Sequence, residues 1–161
     1  GNRVAVITFS GAAAALAADA SEDYGLHMAE LSETTIQQIR QILPPWASVG
    51  NPIDLFQSPE VDQRMAHSVT LEALFADPNV DAIMIIALMT AQHEQYNIYE
   101  VLREYAGQEA RKPIVISGVR DDEGLRQWSS LDSSGIITYS SIRRSMMALA
   151  AAYSHNEKVT T

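Results

Sequence analysis

The stretch Asp81-Ala-Ile-Met-Ile-Ile-Ala-Leu88 is apolar throughout after its leading aspartate. A strand with one wet face alternates polar and apolar residues, whereas a run without alternation buries both faces. A chain built on such a strand needs a layer of helices on each side of its sheet, and the rest of the sequence supplies them. Short segments of strand length at Val4 to Phe9, His27 to Glu30, Ile53 to Phe56 and Pro113 to Ser117 alternate with amphipathic segments of helix length. Strand and helix in repeated succession predict an α/β fold, a doubly wound sheet of five mainly parallel strands with helices on both faces.

Capping residues and breakers mark the helix ends. A first helix is expected from Gly11 to Tyr24, closed by Gly25 as its C-terminal cap. Ser32 caps a helix from Thr34 to Leu43 that places Ile36, Ile39, Ile42 and Leu43 on one face and stops at Pro44-Pro45. The next spans Val61 to Ala76, with Met65, Val69, Leu71 and Leu74 inward, and ends at Asp77-Pro78. Further helices are expected over Tyr96 to Gly107, Glu123 to Ser130 and Ser141 to Tyr153, the last introduced by Gly135-Ile-Ile-Thr-Tyr139, and the tail after His155 is expected to be loose. With 161 residues and no repeat or long linker, one domain is expected over 1–161. Gly1 stands so close to the first strand that the start reads as a cut between domains of a longer protein.

Composition removes several classes of function. Twenty acidic against eleven basic residues leave a net charge of −9, which repels nucleic acid and anionic lipid. No apolar stretch reaches the roughly eighteen residues that span a bilayer, and no secretory signal surrounds the run at Val4 to Phe9. The chain therefore reads as cytoplasmic, without a membrane or nucleic-acid partner. The absence of cysteine excludes disulfides, thiolate catalysis and cysteine zinc sites. His27, His67, His93 and His155 are scattered and none has a metal-ligand spacing, so no metal site is expected. No Gly-x-Ser-x-Gly, Walker Gly-Lys-Ser/Thr or Gly-x-Gly-x-x-Gly motif occurs.

The feature with chemistry in it is a junction. At Phe9-Ser10-Gly11-Ala12-Ala13-Ala14-Ala15 the first strand turns directly into an alanine-rich helix. The opening N–H groups of a helix lack intrahelical acceptors, and the summed peptide dipoles place about half a positive charge there. Phosphate fits such an end, and Ser10, Gly11, Ala12 and Ala13 present no bulky side chain to keep it away. Ser10 reads either as helix cap alone or as cap and phosphate ligand together. Ligands of open parallel sheets gather at the carboxyl ends of the strands. That rim also takes in Val49-Gly-Asn-Pro-Ile-Asp-Leu55, where Asn51 and Asp54 read as supporting rim residues or as turn formers. His93 is the one histidine expected on the rim. Asp121-Asp122-Glu123 suits a helix start, and Arg143 and Arg144 read as solvated helix positions.

Several blocks taken together resemble a known family. Gly1-Asn-Arg-Val-Ala-Val-Ile-Thr, Ser10-Gly11, Leu16-Ala-Ala-Asp-Ala20, Leu43-Pro-Pro-Trp-Ala-Ser-Val-Gly-Asn-Pro-Ile-Asp-Leu55, Asp77-Pro-Asn-Val-Asp-Ala82 and the closing Gly135-Ile-Ile-Thr-Tyr139 are similar to the succinyl-CoA-ligase-like domain of NDP-forming acyl-CoA synthetases. The resemblance covers the whole chain and implies a flavodoxin-like fold. It also implies a ligase that interconverts acid, CoA and ATP with acyl-CoA, ADP and phosphate through an acyl phosphate and a phosphohistidine. CoA, ATP or ADP and Mg2+ would be cofactors of the parent enzyme, none bound tightly by this domain alone. The implied partners are that enzyme's CoA-binding, phosphohistidine-bearing and ATP-grasp domains, in a homo-oligomeric parent. The reactive histidine's Ser-His-Thr-Gly context is missing here, and Ser154-His155-Asn156 is a partial match in the wrong place. By this resemblance the chain contributes no catalytic residue but a helix N-terminus, Ser10 to Ala13, aimed at a phosphohistidine on another domain.

One block departs from the family pattern. Where the usual start is similar to Asn-Ser-Gly-Gly-x-Gly, this chain has Phe9 for the asparagine and Ala12 and Ala14 for two glycines. Alanine N–H groups donate as well as those of glycine if the backbone is helical, while Phe9 removes a polar ligand. Relaxed phosphate handling, a different acyl substrate and loss of ligase activity are the open readings of that change. The alternative function is a regulatory acyl-CoA- or ligand-sensing module of a protein acetyltransferase-type fusion.

Overall fold

Residues 1–106 and 112–160 are described by a computed structural model. Six strands form one sheet: β1 (Arg3–Thr8), β2 (His27–Met28), β3 (Ile53–Asp54), β4 (Ala82–Met89), β5 (Ile114–Arg120) and β6 (Ile137–Tyr139). All pairings are parallel, in the order β2-β1-β4-β5-β6, with β3 also paired to β1. β2 runs beside Arg3 and Val4, β3 beside Ile7 and Thr8, and β4 lies along Val4 to Ile7 on the other edge of β1. Two short strands thus share one position, so six strands fill five places. The five expected strands become six because the Ile137–Tyr139 segment, read as a lead into the last helix, pairs with β5 from Val115 to Ser117.

Helices α1 (Gly11–Asp23) and α6 (Ile142–Thr160) cover one face, and α2 (Glu33–Arg40), α3 (Gln63–Ala76), α4 (Tyr99–Tyr105) and α5 (Asp122–Ser133) cover the other. The unalternating strands point both ways, as their composition requires. Val4, Val6, Met84 and Ile86 face Ala17 and Ala20 of α1 and Met146 and Leu149 of α6. Ala5, Ile7, Ile83 and Ile85 face the larger layer, where Ile39, Leu71, Leu102 and Trp128 pack. Of the α1 alanines, Ala17 and Ala20 are buried, and their burial removes apolar surface worth about 25 cal/mol per Å². Among the described residues no helix is long and apolar enough to cross a membrane.

Several boundaries move for local reasons. Ser32 does cap α2, accepting from the Thr35 N–H at 3.3 Å. That helix ends at Arg40 rather than Leu43, because the residue before Pro44 is barred from helical geometry and the chain tightens through Gln41 and Ile42 first. Asp62 caps α3, accepting from the Met65 N–H, so the helix starts at Gln63 and its face rotates. Leu71 and Leu74 are buried as expected, Val69 is half-buried, and Met65, expected inward, is exposed, while Ala66, His67, Thr70 and Ala73 join the buried face. α4 begins at Tyr99, and its expected end at Gly107 lies outside the described residues. β5 continues through Gly118 to Arg120, since a glycine at φ 148° keeps pairing with Ala87 where a side chain would strike that residue's backbone. α6 runs to Thr160 in place of a loose tail, as no proline or glycine interrupts it. Gly25, at φ 69°, closes α1 as expected, with its N–H on the Glu22 carbonyl and that of Leu26 on Ser21.

Candidate functional site

β1 delivers its chain directly into α1. Ser10 is extended at φ −145° and ψ 124°, and its hydroxyl accepts from the Ala13 N–H at 3.5 Å, while the Ala14 N–H bonds the Ser10 carbonyl at 2.9 Å. Thr8, 1% exposed, holds Ser10 from below: its hydroxyl accepts from the Ser10 N–H at 3.1 Å and donates to the Ser10 carbonyl at 3.2 Å. The N–H groups of Gly11 and Ala12 have no intrahelical acceptor, and both residues are exposed. Ala12 and Ala14 lie in regular helix, and Phe56 is the only positive-φ residue other than glycine among those described. The two alanines in place of glycines therefore cost no backbone strain and leave the donors in place.

Asn51 and Asp54 have structural partners. The Asn51 side chain sits where the sheet edge changes from β2 to β3 and stands in for a strand. Its Oδ1 accepts from the Val6 N–H at 2.8 Å, and its Nδ2 donates to the carbonyls of Val4 at 2.8 Å and Ala29 at 3.0 Å. Its peptide bond to Pro52 is cis. Asp54 Oδ1 accepts from the Phe56 N–H at 2.9 Å, which turns the chain at Phe56 (φ 48°) and ends β3 two residues earlier than expected. Both residues thus shape the loop beside α1 by holding backbone.

Elsewhere on the rim, Thr90 Oγ1 lies 2.9 Å from His93 Nδ1. Because β5 ends at Arg120, its rim residue is Asp121, whose carboxylate accepts from the N–H groups of Gly124 at 3.0 Å and Ala91 at 2.7 Å. Those two bonds hold the carboxyl below the usual carboxylate range and join the starts of two rim segments. Arg143 is exposed but not free: it donates to Asp23 at 2.8 Å and lies 5.6 Å from the centre of the Tyr24 ring, tying α6 to the end of α1. Among the described residues no three Asp, Glu or His side chains converge on a metal position.

A cleft of about 650 Å³ opens between α1 and α6 at the ends of β1, β4 and β5. Ser10 and Ala13 of α1 and Ser141, Ile142 and Arg143 at the start of α6 border it, and Ser117 and Gly118 lie in its floor. Sequence reasoning did not find this floor. The available signal was a serine at the end of the buried run Pro113-Ile-Val-Ile-Ser117, where every other position is apolar.

With this arrangement in view, a model of the Ligase-CoA domain family matches residues 4–160. The chain belongs to the Ligase-CoA domain family. It is 32% identical over 159 residues to subunit alpha of an ADP-forming acetate–CoA ligase II from Pyrococcus furiosus, covering 95% of this chain and 33% of that one. Among solved structures it is similar to PH0766 from Pyrococcus horikoshii OT3, with a TM-score of 0.80 and 28% identity over 100% of this chain and 37% of the other. The fold also matches a Ca. Korarchaeum cryptofilum dinucleotide forming acetyl-coenzyme A synthetase 1 in complex with phosphate and ADP, at a TM-score of 0.75 and 24% identity, covering 98% and 33%. This Ligase-CoA domain spans about a third of the length of such relatives.

Proposed function

We propose that this chain is one domain of an NDP-forming acyl-CoA synthetase, which interconverts acid, CoA and ATP with acyl-CoA, ADP and phosphate. Its part is to present the N-terminus of α1 to a phosphohistidine carried by another domain. The observation that supports this best is the α1 start itself, where two exposed N–H groups on strain-free helix are held at the carboxyl end of β1 by Ser10 and Thr8. Such an end favours an anion by roughly 0.3 to 2 kcal/mol, more where a docked domain excludes water. Ser10, Gly11, Ala12 and Ala13 are the phosphate-facing residues in this reading, and Asn51 and Asp54 support the rim beside them.

The reactive histidine, the CoA site and the ATP-grasp part with its Mg2+ belong to the rest of the parent, read here as a cytoplasmic homo-oligomer. The ADP-forming acetate–CoA ligase relative supports the ligase part of this reading. The test uses the full-length parent, incubated with radiolabelled ATP and magnesium. Acid-labile, base-stable label on the protein, discharged by a carboxylic acid plus CoA, is expected. Ala12→Asp sets a carboxylate against the phosphoryl group and should abolish labelling; unchanged turnover in a folded Ala12→Asp protein removes α1 from the mechanism. Phe9 in place of a polar residue favours the second reading, a regulatory ligand-sensing module, and a folded parent that takes no label would put that reading first.

A further inference from the structure

The chain has two tryptophans. Trp128 is buried at 2% exposure, while Trp46 is 63% exposed, the largest apolar side chain that the described residues leave open. Trp46 is nevertheless held in place. Residues 44–47 form a turn closed by the Ala47 N–H on the Pro44 carbonyl at 2.9 Å, with Pro45 fixing its second position and Trp46 standing third. The indole meets the Phe56 ring edge-on, the centres 4.9 Å apart at 70°. Phe56 is locked in turn. At φ 48°, where bulky side chains are rare, its N–H donates to Asp54 Oδ1 at 2.9 Å and its carbonyl accepts from the Gln63 amide at 2.7 Å, and Gln63 is buried. Strained residues held by their surroundings cluster at clamps and functional sites. What this one carries to the surface is an aromatic ledge.

The ledge stands beside the start of α1. The Leu55 N–H bonds the Thr8 carbonyl at 2.9 Å, so Phe56 leaves the sheet about one strand spacing, roughly 5 Å, from the segment that enters Ser10. An interface of ordinary size covers about 800 Å² on each partner, a disc of roughly 16 Å radius. A domain seated on the Ser10 end of α1 therefore reaches Trp46, one ring contact beyond Phe56. Most of the length of the relatives lies outside this domain, so a parent of that kind has the chain to form such a partner. A rigid exposed indole suits an anchor, since it buries a large area with little loss of side-chain freedom.

We infer that Trp46, packed on Phe56, anchors the parent domain that carries the phosphohistidine and so fixes how that histidine meets the N–H groups of α1. Trp46 is in this sense a positioning residue. The identity of the docked domain rests on the ligase reading; the covering of Trp46 by another part of the parent does not.

The test uses the full-length parent with the photoreactive residue benzoylphenylalanine in place of Trp46, irradiated and mapped by peptide mass spectrometry, beside Trp46→Glu and Trp46→Phe. Cross-links are expected to the domain that takes phosphoryl label from ATP. Trp46→Glu should lower kcat for ATP formation from acyl-CoA about tenfold or more, with KM for the acyl-CoA little changed, and Trp46→Phe, which keeps a ring on Phe56, should restore most of the rate. Amide exchange confirms that this domain is folded in each variant, as the exposure of Trp46 leads one to expect. No cross-link, a cross-link only to the same region of a second copy, or an unchanged kcat in Trp46→Glu overturns the inference. Cross-linking from position 46 to another domain of a parent that takes no label refutes the ligase reading alone.

Discussion

Replacing Asn51 by alanine removes three hydrogen bonds at the β2/β3 edge of the sheet, and their partners set the size of the effect. The Val6 N–H, on a fully buried residue, donates to Asn51 Oδ1 in the gap between β2 and β3. Orphaning such a group costs about 1–3 kcal/mol. The Ala29 carbonyl loses its bond from Nδ2, worth about 0.5–1.5 kcal/mol. The Val4 carbonyl loses little, because it keeps the Ala29 N–H at 2.9 Å. Asn51 is half-buried, so water entering the vacated space recovers part of the loss. The net destabilisation expected is about 3 kcal/mol, or roughly 9 °C in Tm for a domain of this size. Urea and thermal unfolding of Asn51→Ala against wild type measure it. Asn51→Asp should lose about as much, since it keeps the acceptor for Val6 but turns an oxygen toward two carbonyls. A loss below about 1 kcal/mol for alanine, or full tolerance of aspartate, refutes the view that this side chain substitutes for a strand.

Three further outcomes are expected. Burial pushes the His67 imidazole down to about 4, with Nδ1 donating to the Gln63 carbonyl at 2.8 Å. The folded state therefore keeps it neutral while the unfolded chain takes a proton below about pH 6.5, so stability is intact above that pH and falls by up to about 3 kcal/mol on going down through 4. His67→Gln should flatten this part of the pH–stability curve, and an unchanged slope in the variant would assign it to other groups. Gly118→Ala places a methyl against the Ala87 backbone at φ 148° and should lose at least about 2 kcal/mol in urea unfolding; wild-type stability would show that β5 does not approach β4 this closely. Lys112 donates to the carbonyls of Leu74, at 2.7 Å, and Asp77 at the end of α3, so Lys112→Met should lose about 1–2 kcal/mol and speed amide exchange in the last turn of that helix. Exchange raised evenly over all of α3 would argue against a local capping role.

Local chemistry made much of this protein legible in advance. Continuous apolar runs in β1, β4 and β5 demand cover on both faces, whatever the rest of the chain does. Ser10, Ser32 and Gly25 act on backbone within four residues of themselves, which is why their capping roles could be read from neighbours alone. The start of α1 is of the same kind: an extended serine followed by small residues presents N–H groups wherever the fold carries it. Boundaries failed where a distant group decided them. Gly118 reads as a strand end, yet it extends β5 because β4 lies against it, and Ile137–Tyr139 becomes a strand only because β5 offers an edge. Asn51 in sequence is a turn residue before a proline; its place inside the sheet depends on β2 ending early and β3 starting late along the same edge of β1. The cleft and the placing of Ser117 in its lining are visible only in three dimensions. Hydrogen bonds and cavities between segments more than a hundred residues apart, such as α1 and α6, depend on how helices pack on a twisted sheet, and no local pattern encodes that.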